Sequence, residues 1–235
     1  MAERIESRPA VLFDLDGTLV DSVYQHVLAW RQALAAQDID LSVWRIHRRI
    51  GMSGGLLVNA LLRETGRDLG PEDVRRLQST HAHAFAELLP QVRPLPGAVT
   101  LLHRLTQLGI PWAVATSGSR GSAIPALDLL GVVPDVVVTR EEVPYAKPDP
   151  HLFLAAAHRL GVDIEESIVV GDSAWDMLAA QRARALGVGV LSGGYGREEL
   201  ERAGAFRVYE DTADLDWHLD ELGIRPPPGP GTVGQ

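Results

Sequence analysis

From Ala10 onward, short apolar runs alternate with longer segments in which apolar residues recur every three to four positions. The runs AVLFDL (10–15), PWAVATS (111–117), DVVVT (135–139), SIVVGD (167–172), GVGVLS (187–192) and, more weakly, FRVY (206–209) are short and rich in valine, a pattern that predicts strands. Between them AVTLLHRLTQLG (98–109), SAIPALDLLG (122–131), HLFLAAAHRLG (151–161) and WDMLAAQRARALG (175–187) carry the helical period, and several close on a glycine suited to a C-cap. Strands that are apolar throughout and separated by helices predict an α/β fold with a parallel sheet covered on both faces.

One interval breaks the alternation. Between the first strand and PWAVATS lie nearly a hundred residues with no strand pattern, and VYQHVLAWRQALAAQ (23–37), GGLLVNALLRETG (54–66) and EDVRRLQSTHAHAFAELL (72–89) read as successive helices. The expected organisation is an all-helical domain at 20–92 inserted into a core formed by 1–19 and 93–224. The segment RPPPGPGTVGQ (225–235) is expected to stay outside the packed fold as a disordered tail.

Composition narrows the function. A chain of 235 residues with 46% apolar content can build a sizeable core. Its net charge of -9 argues against a nucleic-acid surface, which needs a basic stripe to meet phosphates. The absence of cysteine removes disulfides, thiolate metal sites and cysteine nucleophiles. The charged N-terminal stretch and the lack of a long apolar run predict a cytoplasmic protein with no membrane partner.

The candidate chemistry lies where the strands end, because ligands of an open parallel sheet bind beyond its carboxyl edge. The first strand ends in DLDGT, with Asp14 and Asp16; the second in Thr116 and Ser117; the fourth in Asp172 of GDSAWD; Lys147 follows the third. Two carboxylates as close as Asp14 and Asp16 repel, so the pair requires a cation, a proton or solvent. Each piece has an ordinary reading as a turn, a cap or a solvated loop, and Ser173 with Asp176 matches a capping box. Their joint placement on one edge is what points to a site.

The segments DLDGTLVDS, ATSGS, KPDP and GDSAWD together resemble the four motifs of the haloacid dehalogenase-like superfamily, in order from Val11 to about Asp176. The helical insertion falls where that family carries its cap. The resemblance implies a Rossmann-like core with a helical cap, similar to the phosphoglycolate phosphatase and phosphoglucomutase branch. It implies a phosphatase acting on a small phosphorylated metabolite, in which Asp14 attacks phosphorus to form an aspartyl-phosphate and Asp16 serves as acid and base. Mg2+ is the implied cofactor, held by Asp14, Asp172 and the Asp16 main-chain carbonyl, with Asp176 acting through water or an outer contact. Thr116, or less favourably Ser117, would donate to a phosphoryl oxygen, Lys147 would offset charge, and the Gly118 amide would complete the phosphate cradle.

Asp16 sets the chain apart from dehalogenase members, which lack an acid there, and from phosphonate-cleaving members, which resemble DxAGT. In RRIGMSGG (48–55), Gly54 stands where mutase-like members carry arginine, which lowers a phosphosugar-mutase reading unless Arg48 or Arg49 substitutes. From another class, a non-catalytic phosphate-binding or protein-interaction module would need these chemical positions to be idle. Expected cap specificity residues are His26, Arg49, Gly51, Met52, Ser53 and Gly54. His26 reads equally as a cleft residue or a partly buried helix histidine, while His81 and His83 are expected on the cap surface. The glycines of LSGGYG follow a late strand, which argues against dinucleotide binding. The family often functions as a monomer or dimer, and a monomer or homodimer is expected.

Overall fold

A computed structural model describes residues 9–225 except 53 and 68. The first eight residues and the expected tail from 226 to 235 lie outside the described residues, as does the candidate Ser53.

Six parallel strands form one sheet: β1 (Val11–Phe13), β2 (Trp112–Ala115), β3 (Val136–Val138), β4 (Ile168–Gly171), β5 (Leu186–Val190) and β6 (Arg207–Tyr209), in the order β3-β2-β1-β4-β5-β6. All six expected strands are present. Because side chains alternate across a strand, Val11 and Phe13 enter one buried cluster and Leu12 enters another on the opposite face. Trp112 and Val114 likewise face the first cluster, while Ala113 and Ala115 face the second. The helices α5 (Ala98–Gln107), α6 (Arg120–Asp128) and α10 (Thr212–Trp217) contribute to the first cluster; α7 (His151–Leu160) and α8 (Ala174–Ala183) cover the other face.

Between β1 and β2 stand α1 (Val23–Ala35), α2 (Val43–His47), α3 (Gly54–Thr65) and α4 (Pro71–Leu88). On α1, Val23, Val27, Trp30 and Leu34 recur at helical spacing and pack with Ile46, Leu57, Leu62 and Leu77 from the other three helices. Of these four, α2 is too short for its period to show in the sequence. The last small helix, α9 (Arg197–Arg202), lies between β5 and β6.

Helix α8 departs from expectation at its end. It stops at Ala183 with Arg184 in the left-handed region (φ 65), and Gly187 lies inside β5 instead of closing the helix. A Cβ at Gly187 would come within 3.3 Å of Met177 Sδ, so this strand position must stay small for α8 to pack on it.

Candidate active site

The strand order reverses at β1, and the register brings its carboxyl end beside those of β2 and β4: Phe13 pairs with both Val114 and Val170. Asp14, Thr116 and Asp172, one or two residues past these positions, therefore converge at the switch point. The Asp14 N–H donates to Val170 O at 2.9 Å and the Thr116 N–H to Val138 O at 3.0 Å, which ties both loops to the ladder.

Asp14, Asp172 and Asp176 are buried and offer carboxylate oxygens that all lie within 4.8 Å of one another. Lys147, fully buried, donates to Asp14 Oδ1 and lies 2.8 Å from Asp176 Oδ1. Thr18 Oγ1 donates to Asp172 Oδ1 at 3.1 Å, and Asp176 Oδ2 accepts from both the N–H and the hydroxyl of Ser173 as an N-cap partner. Gly17 makes the approach possible: its φ of 84 is left-handed, and a Cβ there would come within 2.7 Å of Asp172 Oδ2. At Gly193 a Cβ would meet the same oxygen at 1.7 Å, so the LSGGYG loop closes over Asp172 only because this residue has no side chain.

Burial, then the neighbouring carboxylates, pushes Asp172 well above the ordinary range and Asp14 up to about 7, against the pull of Lys147. Burial opposes the charge on Lys147, but Asp14 and Asp176 hold it protonated beyond the ordinary lysine value. Three buried carboxylates beside one ammonium form an oxygen-only donor set with surplus negative charge, which fits a hard divalent cation. Adding magnesium to EDTA-treated protein at about 100 times its Kd is expected to raise the unfolding midpoint by roughly 5–10 °C. Because the raised carboxyls bind protons in the folded state, cation-free protein is expected to lose stability as pH rises from the carboxylate range through about 7. The magnesium shift should grow over that window; a pH-independent midpoint with no shift would remove the cation from this site.

Asp16 stands apart from this cluster. Ser22 Oγ donates to its Oδ1 at 2.6 Å, and His26 Nε2 lies 3.1 Å from the same oxygen. Burial would raise the Asp16 carboxyl, yet His26 and Ser22 bring it below its ordinary value. His26 is buried and lines the cleft, its ring stacked 3.8 Å from Phe85. Its Nδ1 meets His81 Nε2 at 3.1 Å.

Above these groups opens a cavity of about 510 Å3 between the sheet edge and the helical insertion. Asp14, Asp16, His26, Gly51, Met52, Gly54, Thr116, Ser117 and Gly118, all candidates from the sequence, line it. Four expectations require correction. Arg49 is not in the wall, because its guanidinium is paired with Glu64 on α3. The Gly118 N–H donates to Thr116 Oγ1 at 2.9 Å, which satisfies it within its own turn. Asp176 belongs to the carboxylate cluster itself, because its capping geometry aims Oδ1 at Lys147. His81 lines the cavity, stacked on Trp30 at 4.1 Å, while His83 is exposed.

Trp30, Gln78, Arg140 and Glu141 also line it without having been singled out. For His81 a signal existed: Leu77, His81 and Phe85 follow one another at i, i+4 and i+8, the buried stripe of α4. Ser117 Oγ is buried and has no hydrogen-bond partner, whereas Thr116 Oγ1 accepts from Gly118 and keeps its own proton to donate.

Insertion and core also meet beside the site. Arg48 forms a two-toothed pair with Glu199, with Nη1 to Oε2 at 3.3 Å, and its guanidinium lies 4.1 Å from the Tyr195 ring. His47 Nε2 donates to Gly193 O at 2.8 Å. With both charged side chains over a third exposed, the ion pair is worth less than about 1 kcal/mol. Glu199→Gln is expected to raise KM about two- to fivefold at low salt, a difference that should vanish near 1 M salt. An effect that persists at high salt would show that the clasp does not act through charge.

Comparison with known proteins agrees with this architecture. The haloacid dehalogenase-like hydrolase family matches residues 9–184. A phosphoglycolate phosphatase from Rhodospirillum rubrum is 36% identical over 236 residues, covering 96% of this chain and 95% of that protein. Hexitol phosphatase A from Escherichia coli is 34% identical over 178 residues, covering 73% and 78% respectively. A hydrolase of known structure from Pseudomonas syringae superposes with a TM-score of 0.89 at 54% identity, covering 91% of this chain and 99% of its own. Sheet order, carboxylate cluster and sequence kinship agree, and the chain belongs to the haloacid dehalogenase-like hydrolases.

Proposed function

We propose that the protein is a magnesium-dependent phosphatase that hydrolyses a small phosphorylated metabolite through an aspartyl-phosphate on Asp14. The observation that carries this reading is the meeting of Asp14, Asp172, Asp176 and Lys147 in one buried cluster whose Asp14 reaches a cavity also lined by Asp16 and Thr116. Phosphate monoesters hydrolyse so slowly unaided, with enzymatic accelerations up to about 10^21, that a single weak base would not suffice.

Lys147 fixes one oxygen of Asp14 and leaves the carboxylate to attack phosphorus. As the bond from Asp14 to phosphorus forms, the bond to the ester oxygen breaks, and Asp16 gives that oxygen its proton. A water then attacks phosphorus, Asp16 takes its proton, and Asp14 is released with inorganic phosphate. His26 and Ser22 hold Asp16 in place and favour its charged form, while the approach of an anionic ester raises its proton affinity. Thr116 donates its hydroxyl proton to a phosphoryl oxygen, and Lys147 offsets charge on both partners.

Asp14, Asp172, Asp176 and the Asp16 main-chain carbonyl would hold Mg2+. Bound there, it would screen the repulsion between carboxylate and phosphate and polarise the phosphoryl group. Residues 20–92 would act as the cap that excludes water and selects the leaving group. The relatives named phosphatases support this class of substrate. A mutase would need a cation for a second phosphate, and the two cap arginines considered for it, Arg48 and Arg49, are already paired with Glu199 and Glu64.

The test is phosphate release from a panel of phosphorylated acids, sugars and polyols, with magnesium or EDTA. Release that depends on magnesium is expected. Conversion of a hexose 1-phosphate to its isomer with added bisphosphate, and no phosphate release, would replace this reading with the mutase.

A further inference from the structure

We propose that His47 is a positioning residue for the cation site: from the helical insertion it holds the 191–195 loop against Asp172, so that seating of the insertion on the core and magnesium affinity are linked. The inference rests on the magnesium-dependent reading and deepens it.

The first ground is a run of contacts that leads from the insertion to a carboxylate. His47, the last residue of α2, donates from Nε2 to Gly193 O at 2.8 Å. Gly193 in turn lies so close to Asp172 that a single added carbon would overlap Oδ2. Ser192 Oγ donates to Gly17 O at 2.6 Å, and Gly17 is packed against the same carboxylate oxygen. The loop therefore confines Asp172 directly and through Gly17. At its far end Tyr195 Oη donates to Arg48 O at 3.1 Å, so neighbouring residues of the insertion tie the loop twice.

Close packing is the second ground. The His47 ring stacks on Tyr24 at 5.3 Å, parallel to within 3°, and leans toward Tyr195 at 6.0 Å. A Cβ at Gly194 would stand 3.0 Å from His47 Nε2 and 3.1 Å from Tyr24 Oη, so the seam has no slack. Four residues past His47, Gly51 rests on the other loop that carries a carboxylate. A Cβ there would come within 2.8 Å of Ser173 Oγ, which caps Asp176. The stretch 47–51 thus backs two of the three carboxylates that would hold the cation.

The third ground is what that backing does. Three carboxylates within 4.8 Å repel one another, and a ligand free to turn away gains by doing so. Two adjacent glycines give the 191–195 loop little stiffness of its own, so its place is set by what it bonds to. With the insertion seated, Asp172 is held in the cluster before the cation arrives, and the site binds more tightly. By reciprocity, magnesium favours the seated insertion by the same factor.

The experiment uses the full chain without substrate, stripped with EDTA and then freed of it. Magnesium alone is titrated by calorimetry, and amide hydrogen exchange over residues 43–51 is followed with and without it. Native protein is expected to gain protection over 43–51 when magnesium binds. His47→Phe keeps an aromatic ring on Tyr24 and removes the donor; it should raise the magnesium Kd about fivefold, the worth of one hydrogen bond, and lose most of that protection. His47→Gln returns an N–H at similar reach and should bind within about twofold of native. Equal Kd for native and His47→Phe, or a loss in His47→Gln as large as in His47→Phe, would overturn the inference. Native protein also decides it alone: magnesium binding with no change in exchange over 43–51 would overturn the linkage whether or not a variant folds. In each of those outcomes magnesium still binds, and magnesium-dependent phosphate release would leave the phosphatase reading standing. A native protein that binds no magnesium would remove both.

Discussion

Asp14→Asn is expected to lower kcat by about 10^4 or more while leaving the unfolding midpoint equal to or a few degrees above that of the native protein. The two effects have one cause. An amide is no nucleophile, so the covalent route is lost; removal of a triad nucleophile in a hydrolase costs about 10^6. Yet Asp14 is held up to about 7 by burial and by Asp176 and Asp16, which means that its charged form is disfavoured where it stands. Replacing it with a neutral isostere relieves that repulsion and leaves Lys147 still paired with Asp176 at 2.8 Å. A functional group placed where it strains the fold is a known compromise between activity and stability. Phosphate release and thermal unfolding on the same preparation check it. Residual turnover within a hundredfold of native, on folded protein, would show that Asp14 does not carry the covalent step.

Legibility in the sequence followed from how far each feature depends on the packing of distant elements. Strands β1, β2 and β4 declared themselves through apolar runs, and Asp14, Thr116 and Asp172 could be placed because each sits directly past one of them. The rule that ligands gather at a parallel sheet's carboxyl edge did the remaining work. The helical insertion was visible as missing alternation, but its orientation was not. The stripe of Leu77 and Phe85 marks His81 as inward-facing, but whether Gln78 beside it faces the cleft depends on how α4 lies against α1, which no local pattern encodes. The same holds for Arg49, whose partner Glu64 is on α3, and for Asp176, whose place in the carboxylate cluster depends on Lys147 from a different loop. Ser22 and Thr18 lay inside the DLDGTLVDS segment, yet their bonds to Asp16 and Asp172 needed the chain to double back on itself. Residues whose role follows from their own strand were readable; residues whose role follows from a neighbour's position were not.

Lys147→Met should show the opposite balance to Asp14→Asn, with both stability and activity falling. Methionine keeps the unbranched apolar stem, but gives up the ammonium 5.1 Å from the Phe153 ring and leaves Asp14, Asp172 and Asp176 without their only buried cation among the described residues. Removing one partner of a buried ion pair costs about 3–5 kcal/mol. For a chain of this size that corresponds to a midpoint lowered by roughly 6–20 °C. The loss should depend on pH in a defined direction. Asp14 is already raised to about 7 by burial, and without the ammonium it rises further, so its folded form is favoured when protonated and disfavoured as pH climbs. The midpoint deficit is therefore expected to be small near pH 5 and large near pH 8 in EDTA. Magnesium should restore more of it in the variant than it adds to the native protein, because a divalent cation replaces charge that the lysine no longer supplies. Turnover should stay at least about a thousandfold down even then, since no group offsets the charge between Asp14 and the phosphoryl oxygens as the bond forms. A variant that melts with native protein at pH 8 in EDTA would show that the three carboxylates are not charged together in the fold, and the case for a cation at their centre would fall with it.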